Sequence, residues 1–254
     1  MKKHKILKLF IVLFVLVAVF ALIVFATVCI EGYEMYQSAL QEKSMDDTVN
    51  EIRSASGYVT IDKIPKDFKN AIIAIEDHRY ESHGPVDFIS IIRAIVRNIS
   101  EFRIVEGGST ITQQFAKNTF FSQEQKFSRK MAEVFAAIDL EKKYSKDDII
   151  EMYINTIYYG DGFYGIGAAS KGYFNKEPME LNLYEITLLA GIPNAPGVYS
   201  LSENPDLAKQ RQKQVINAMV KYGYLTQEQA NSVFEESSGQ ISLRENLSFI
   251  LQDL

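Results

Sequence analysis

Phe68-Lys69-Asn70-Ala71-Ile72-Ile73-Ala74-Ile75-Glu76-Asp77-His78-Arg79-Tyr80-Glu81-Ser82-His83 is the stretch whose periodicity decides the fold class. Phe68, Ile72, Ile75 and Arg79 recur at the 3-and-4 spacing of one helix face, and Glu76, four residues after Ile72, falls beside that stripe. A carboxylate therefore sits at the edge of a buried face. If the helix runs on to His83, two proton carriers share that face, and a partly buried carboxylate suits a general base or acid. A solvated helix end is the plainer reading of the same residues.

The pattern continues outward. Pro65 fits a first helical residue, and Ser56–Ile61 alternates weakly, as a short strand would. Between Val86 and Ile99 the residues Ile89, Ile92, Val96 and Ile99 hold helical spacing, with Arg93 and Arg97 on another face. Ser145 and Asp148 form a capping-box start for Lys146–Thr156, and Leu183–Ala190 and Gln210–Lys221 add two more helices. Few segments read as strands and no internal repeat is present, so the fold is expected to be mainly α.

Toward the amino terminus, Leu9–Ile30 carries no charged residue. At about 1.5 Å per residue it spans roughly 33 Å, enough for a bilayer core of about 30 Å. A secretory signal would have a shorter apolar run and a small-x-small cleavage site, which Ala21–Ile30 lacks. Lys2, Lys3, Lys5 and Lys8 precede the run, so the positive-inside bias keeps residues 1–8 cytoplasmic and sends the rest across the membrane. The expected organisation is a basic tail at 1–8, an anchor at 9–30, a polar and partly helical stalk at 31–55, and a single exported domain at 56–254.

The only cysteine, Cys29, lies inside the anchor, which excludes disulfides from the exported part. Setting aside the four anchor-side lysines, 23 of the 27 basic residues face 32 acidic ones. Such a domain repels nucleic acid, and an anionic ligand requires a local basic cluster. One candidate is Gly107-Gly108-Ser109-Thr110-Ile111-Thr112-Gln113-Gln114, where Thr110 and Gln113 have capping-box spacing and exposed N–H groups at a helix start would bind a phosphate. Lys117, Lys126, Arg129 and Lys130 follow closely. An ordinary cap leading into a solvated basic helix is the plainer alternative, and Arg129 with Glu133, four residues apart, reads alone as a surface ion pair. Gly160-Asp161-Gly162-Phe163-Tyr164-Gly165 matches a dinucleotide pattern by letters only, since it follows a capped helix and no βαβ unit surrounds it. A tight loop packed on neighbouring helices is expected there. Asp147-Asp148 lacks partner ligands at calcium-loop spacing and marks a helix start.

Taken in order, these segments resemble the peptidoglycan glycosyltransferase family, glycosyltransferase family 51, in its monofunctional form. Its first motif corresponds to Glu76–His83, its second to Gly107–Asn118, and its third to Arg129-Lys130-x-x-Glu133. Similar later signatures are Glu151–Asn155, the glycine loop with Tyr173-Phe174, and Leu189-Ala190-Gly191-Ile192-Pro193 leading to Pro196 and Tyr199. The resemblance implies a lysozyme-like helical domain with a small membrane-proximal jaw lobe, anchored in a bacterial cell membrane. The implied reaction joins lipid II units into β-1,4-linked glycan with release of undecaprenyl pyrophosphate. Glu76 would be the general base and Glu133 the second catalytic acid residue, orienting the basic side chains or a divalent cation (Mg or Mn). Asp77, Ser109, Thr110, Gln113, Gln114, Lys117, Lys126, Arg129, Lys130 and Asn155 would bind substrate. No cofactor is required with certainty. Implied partners are lipid II, the growing glycan, the membrane, and a transpeptidase with other wall-synthesis proteins, because no Ser-x-x-Lys transpeptidase apparatus follows in the exported domain.

Two positions depart from the family pattern. The first motif continues as His83-Gly84-Pro85 where His-x-Gly is usual, and an arginine expected eight residues after Lys117 is Gln125, with Lys126 beside it. Two rivals remain on this evidence. A lytic transglycosylase or muramidase shares the fold type and a single glutamate but needs no pyrophosphate site. A non-catalytic wall-assembly scaffold has no use for both Glu76 and Glu133. Val86–Ile99 with Phe120 and Phe121 is a candidate bilayer-resting surface, although core packing is the plainer reading of those apolar residues.

Overall fold

The computed structural model describes residues 2–103, 107–122 and 126–235. Ten α-helices are labelled in the described fold, α1 (Lys2–Glu42), α2 (Met45–Ser54), α3 (Lys66–Glu76), α4 (Phe88–Ser100), α5 (Ile111–Phe120), α6 (Phe127–Lys143), α7 (Lys146–Thr156), α8 (Gly165–Phe174), α9 (Leu183–Gly191) and α10 (Pro205–Lys221), and residues 227–235 are helical as well. Among the described residues the β structure is one isolated bridge, Tyr158 to Tyr164. The mainly α expectation holds, and the helices read from sequence spacing at 86–99, 146–156, 183–190 and 210–221 are all present.

The core forms where the periodic faces meet. α3 packs against α9 and α10, while α5 lies between α6 and α7. Phe68 and Ile72 of α3, Phe115 of α5, Leu140 of α6 and Ile150 of α7 are fully enclosed. Each such side chain contributes about 1.5–3 kcal/mol of burial. α4 is the exception. Its Ile89, Ile92, Val96 and Ile99 are 56–67% exposed, so the stripe expected to pack inward points out, and only the side opposite it, through Ser90 and Ala94, meets the protein. Phe120 and Phe121 do not join that surface, because both pack against the main core.

The stalk reading of residues 31–55 needs correction. α1 is long and apolar enough to cross a membrane, with a mean hydropathy of 3.4 over its most apolar window, but it does not stop at Ile30. It runs on to Glu42 and lies along α6. At the contact a Cβ on Gly32 would stand 2.5 Å from Met131 Cβ and 2.7 Å from the Ser128 carbonyl oxygen, so only glycine lets the two backbones approach this closely. One turn on, Tyr36 is buried and donates to Asp139 Oδ2 at 2.7 Å. Ser44 then caps α2, whose Met45, Thr48 and Val49 are buried. The apolar stripe of this segment is short and interrupted by polar residues, which is why its spacing alone reads as a stalk.

Ser56–Ile61 is not a strand. Ser56 and Gly57 form a turn and Ile61 opens a 3-10 turn, and the backbone between them is held by side chains of α7: the Val59 N–H donates to Asn155 Oδ1 and the Val59 carbonyl accepts from Asn155 Nδ2, both at 2.8 Å. The Ile61 N–H donates to Glu151 Oε2 at 2.6 Å. An amide and a carboxylate on one helix face thus play the part of a neighbouring strand. α3 also ends earlier than a continuous helix to His83 would require. Asp77 leaves helical geometry at φ −157°, and a separate 3-10 turn covers Tyr80–Ser82.

Candidate active site

A cleft of about 760 Å³ opens where the end of α3 meets the loop before α5 and the side of α10; Glu76, Ser109, Gln114, Lys117, Arg93 and Arg211 are on its walls. Glu76 is held from one side. Gln114 Nε2 donates to Glu76 Oε2 at 3.0 Å, and the buried Tyr153 hydroxyl donates to Gln114 Oε1 at 3.0 Å. Burial pushes the Tyr153 pKa well above 10, so that hydroxyl keeps its proton and fixes which way the Gln114 amide points. Glu76 Oε1 accepts no hydrogen bond from the described residues.

Ser109 joins this cleft to a cationic cluster. Lys130 Nζ donates to Ser109 Oγ at 2.7 Å and to Glu133 Oε2 at 2.8 Å, and Arg129 Nε lies 3.2 Å from Glu133 Oε1. Glu133 is only 2% exposed, which removes the surface-pair reading: a buried carboxylate holds two cations in place on α6. Arg129 also donates to the Ser122 carbonyl at 3.2 Å. Lys117 lines the cleft one turn beyond Gln114 on α5. Lys126 is exposed at the start of α6, and Gln125 lies outside the described residues.

Four residues expected to bind substrate are committed elsewhere. Thr110 and Gln113 are buried in the capping box of α5, and Thr110 Oγ1 also donates to the Pro85 carbonyl at 2.9 Å. The open anion site expected at this helix start is closed, because the Ile111 N–H donates to Asp77 Oδ2 at 3.0 Å. A protein carboxylate already occupies the position that a phosphate would take. Asp77 is therefore the link between the end of α3 and the start of α5. Asn155 is spent on Val59 and on the Glu151 carbonyl.

His83 does not stand beside Glu76 but folds back on Asp77, with Nε2 at 2.8 Å from Oδ1. Burial alone would lower its pKa; the hydrogen bond to Asp77, helped by the Gly84 carbonyl, outweighs it and the net direction is up from 6.5. Asp77, His83 and Asp87 bring ligand atoms within 4.8 Å of one another. They do not fit a cation, since Asp77 is taken by Ile111 and His83, and Asp87 by Arg79 Nε at 3.0 Å and by Ser90. Glu133, between two cations, fits one no better.

The glycine loop is a turn, as its sequence context implied. Gly160, Gly162 and Gly165 all have positive φ, and a Cβ on Gly165 would lie 2.5 Å from the Asn155 carbonyl oxygen. Reading motifs missed His78, Arg93, Arg97, Arg211 and Lys221, which share the cleft walls with Glu76. For Arg211 the sequence carries one trace, Gly191 at the end of α9, against which the Arg211 stem packs.

Comparison with known proteins decides the family. The description Transglycosylase matches residues 43–220. The chain belongs to the transglycosylase family. Penicillin-binding protein 1F of Bacillus subtilis is 40% identical over 241 residues, which cover 91% of this chain and 34% of that protein. Penicillin-binding protein 1A of Aquifex aeolicus is 45% identical over 172 residues, 68% of this chain and 24% of that one. The chain therefore spans about a third or less of these two relatives. A Cupriavidus necator relative that carries transglycosylase in its name is 39% identical over 180 residues and is covered over 78% of its length. The apolar α1 and these relatives together describe a membrane-anchored transglycosylase module.

Proposed function

We propose that this module polymerises lipid II into β-1,4-linked glycan strands, with Glu76 as general base. The observation that carries the reading is one cleft holding a sheltered carboxylate oxygen that accepts no hydrogen bond from the described residues and, joined to it through Ser109, a clamped pair of cations. Glu76 Oε1 takes the proton of the acceptor 4-hydroxyl as that oxygen bonds to the donor anomeric carbon. The bond from that carbon to the pyrophosphate oxygen breaks, the electron pair leaves with undecaprenyl pyrophosphate, and single displacement inverts the anomeric centre. Lys117, Arg129 and Lys130 stabilise the departing negative charge, with Glu133 keeping the latter two aimed. Gln114 and Tyr153 hold Glu76 for the transfer.

The outward apolar face of α4 supports contact with the bilayer near the cleft, where a lipid-borne substrate is presented. The four amino-terminal lysines favour a cytoplasmic start and an extracytoplasmic catalytic part in a bacterial cell membrane. Crosslinking of the strands by a transpeptidase completes the picture. A lytic enzyme leaves the Ser109, Lys117, Arg129 and Lys130 set without a role. Purified protein given lipid II should yield glycan strands, and Glu76→Gln should abolish them while the protein stays folded. Release of fragments from finished wall, with lipid II untouched, would transfer the reading to the hydrolase.

A further inference from the structure

Glu76 has a second neighbour that no sequence motif marks. Arg211, on α10, directs Nη2 to 3.6 Å from Glu76 Oε1, with the two side chains 11% and 9% exposed. Glu76 Oε1 and Arg211 Nε are sealed from solvent and neither makes a hydrogen bond. A purely structural pair would close this gap, because burying both charges without a mutual hydrogen bond is costly. The geometry supplies positive charge to Glu76 while leaving Oε1 without a hydrogen-bond partner among the described residues. On its other side Arg211 Nη1 donates to Gln214 Oε1 at 2.7 Å, which fixes the guanidinium plane.

The approach depends on Gly191, the glycine of the Leu189–Pro193 signature. A Cβ there would stand 2.9 Å from Arg211 Cγ, and the contact is with the stem of the side chain, whose Cβ is 3.6 Å away. The last residue of α9 is thus a notch through which α10 delivers a cation to the end of α3. Three helices that pack on one another converge at this point. Gln114 holds Oε2 from the α5 side, so the carboxylate is oriented from two directions and only Oε1 stays available.

We infer that Arg211 is a positioning residue for Glu76, admitted by the Gly191 notch, and that it acts on proton transfer rather than on substrate capture. The inference rests on the reading of Glu76 as the base. Arg211→Gln, Arg211→Lys and Gly191→Ala in the full membrane-anchored chain test it through steady-state kinetics on lipid II, with thermal unfolding as a control. A misplaced catalytic group loses on the order of 10²-fold, so Arg211→Gln should lose about that much in kcat with KM within about twofold. Arg211→Lys should recover part of kcat, and Gly191→Ala should lose part of it. A wild-type kcat in Arg211→Gln, or a loss confined to KM, overturns the inference. Should Arg211→Gln not fold, the split between kcat and KM in Arg211→Lys and Gly191→Ala decides by the same criteria. Glu76→Gln separates the two readings: if it polymerises at the wild-type rate, the base assignment itself fails, whereas an inactive Glu76→Gln beside a fully active Arg211→Gln refutes only the role of Arg211.

Discussion

Asp77→Ala is the substitution whose effect the structure specifies most fully. Asp77 is 7% exposed and accepts from the Ile111 N–H at 3.0 Å and from His83 Nε2 at 2.8 Å. Alanine leaves a buried amide unpaired at the start of α5 and removes an anion from a helix amino terminus. A hydrogen bond to a charged group contributes about 1.5–3 kcal/mol, and the interaction with the helix dipole adds about 0.3–1 kcal/mol. The combined loss is about 3 kcal/mol, which for a domain of this size lowers the melting temperature by roughly 6–12 °C. Asp77→Asn retains a carbonyl acceptor for Ile111 and should lose about 1 kcal/mol. Because α5 carries Gln114, both variants should also slow polymerisation, with alanine the slower. Differential scanning calorimetry reads the first effect and glycan synthesis the second. If Asp77→Ala melts within 2 °C of wild type, roughly the change expected for under 1 kcal/mol, the proposed link between α3 and α5 is wrong.

Other consequences can be checked independently. Gly32→Leu, which forces a side chain into Met131 and Ser128 of α6, should reduce activity even in detergent, since Arg129 and Glu133 lie on that helix; unchanged turnover would detach the anchor from the cation cluster. His83, whose pKa is raised in the fold, binds its proton more tightly folded than unfolded. Its contribution is therefore fully present below about pH 6.5 and is lost as pH rises through the raised value, so urea unfolding from pH 6 upward should show a fall that His83→Gln flattens. Deletion of residues 2–30 should lower activity on bilayer lipid II more than on detergent-dispersed lipid II, while deletion through Glu42 should also destabilise the domain by removing Tyr36. Equal losses on both substrates would argue against a positioning role for the anchor.

Local patterns in the sequence mark α3, α4, α7, α9 and α10, the caps of α5 and α7, and the apolar run of α1, because each rests on spacing within a few turns, whereas the roles of Glu76 and Glu133 come from the family resemblance. What escaped them depends on contacts between distant segments. Whether Thr110, Gln113 and Asn155 face substrate or packing is decided by partners such as Pro85 and Val59, which no local window contains. The outward face of α4 has the same periodicity as an inward one; only the position of the remaining helices determines its side. His83 was placed beside Glu76 by assuming an unbroken helix, and the turn at Asp77 moved it. Arg211 reaches Glu76 across three packed helices, with Gly191 its only trace in the sequence.

The most direct test of the central claim is glycan synthesis from lipid II in lipid vesicles by the wild-type chain and by Glu76→Gln at matched folding and insertion. Long strands from the wild type and none from the variant are predicted. Strands from Glu76→Gln at the wild-type rate, or none from the folded wild type, would contradict it.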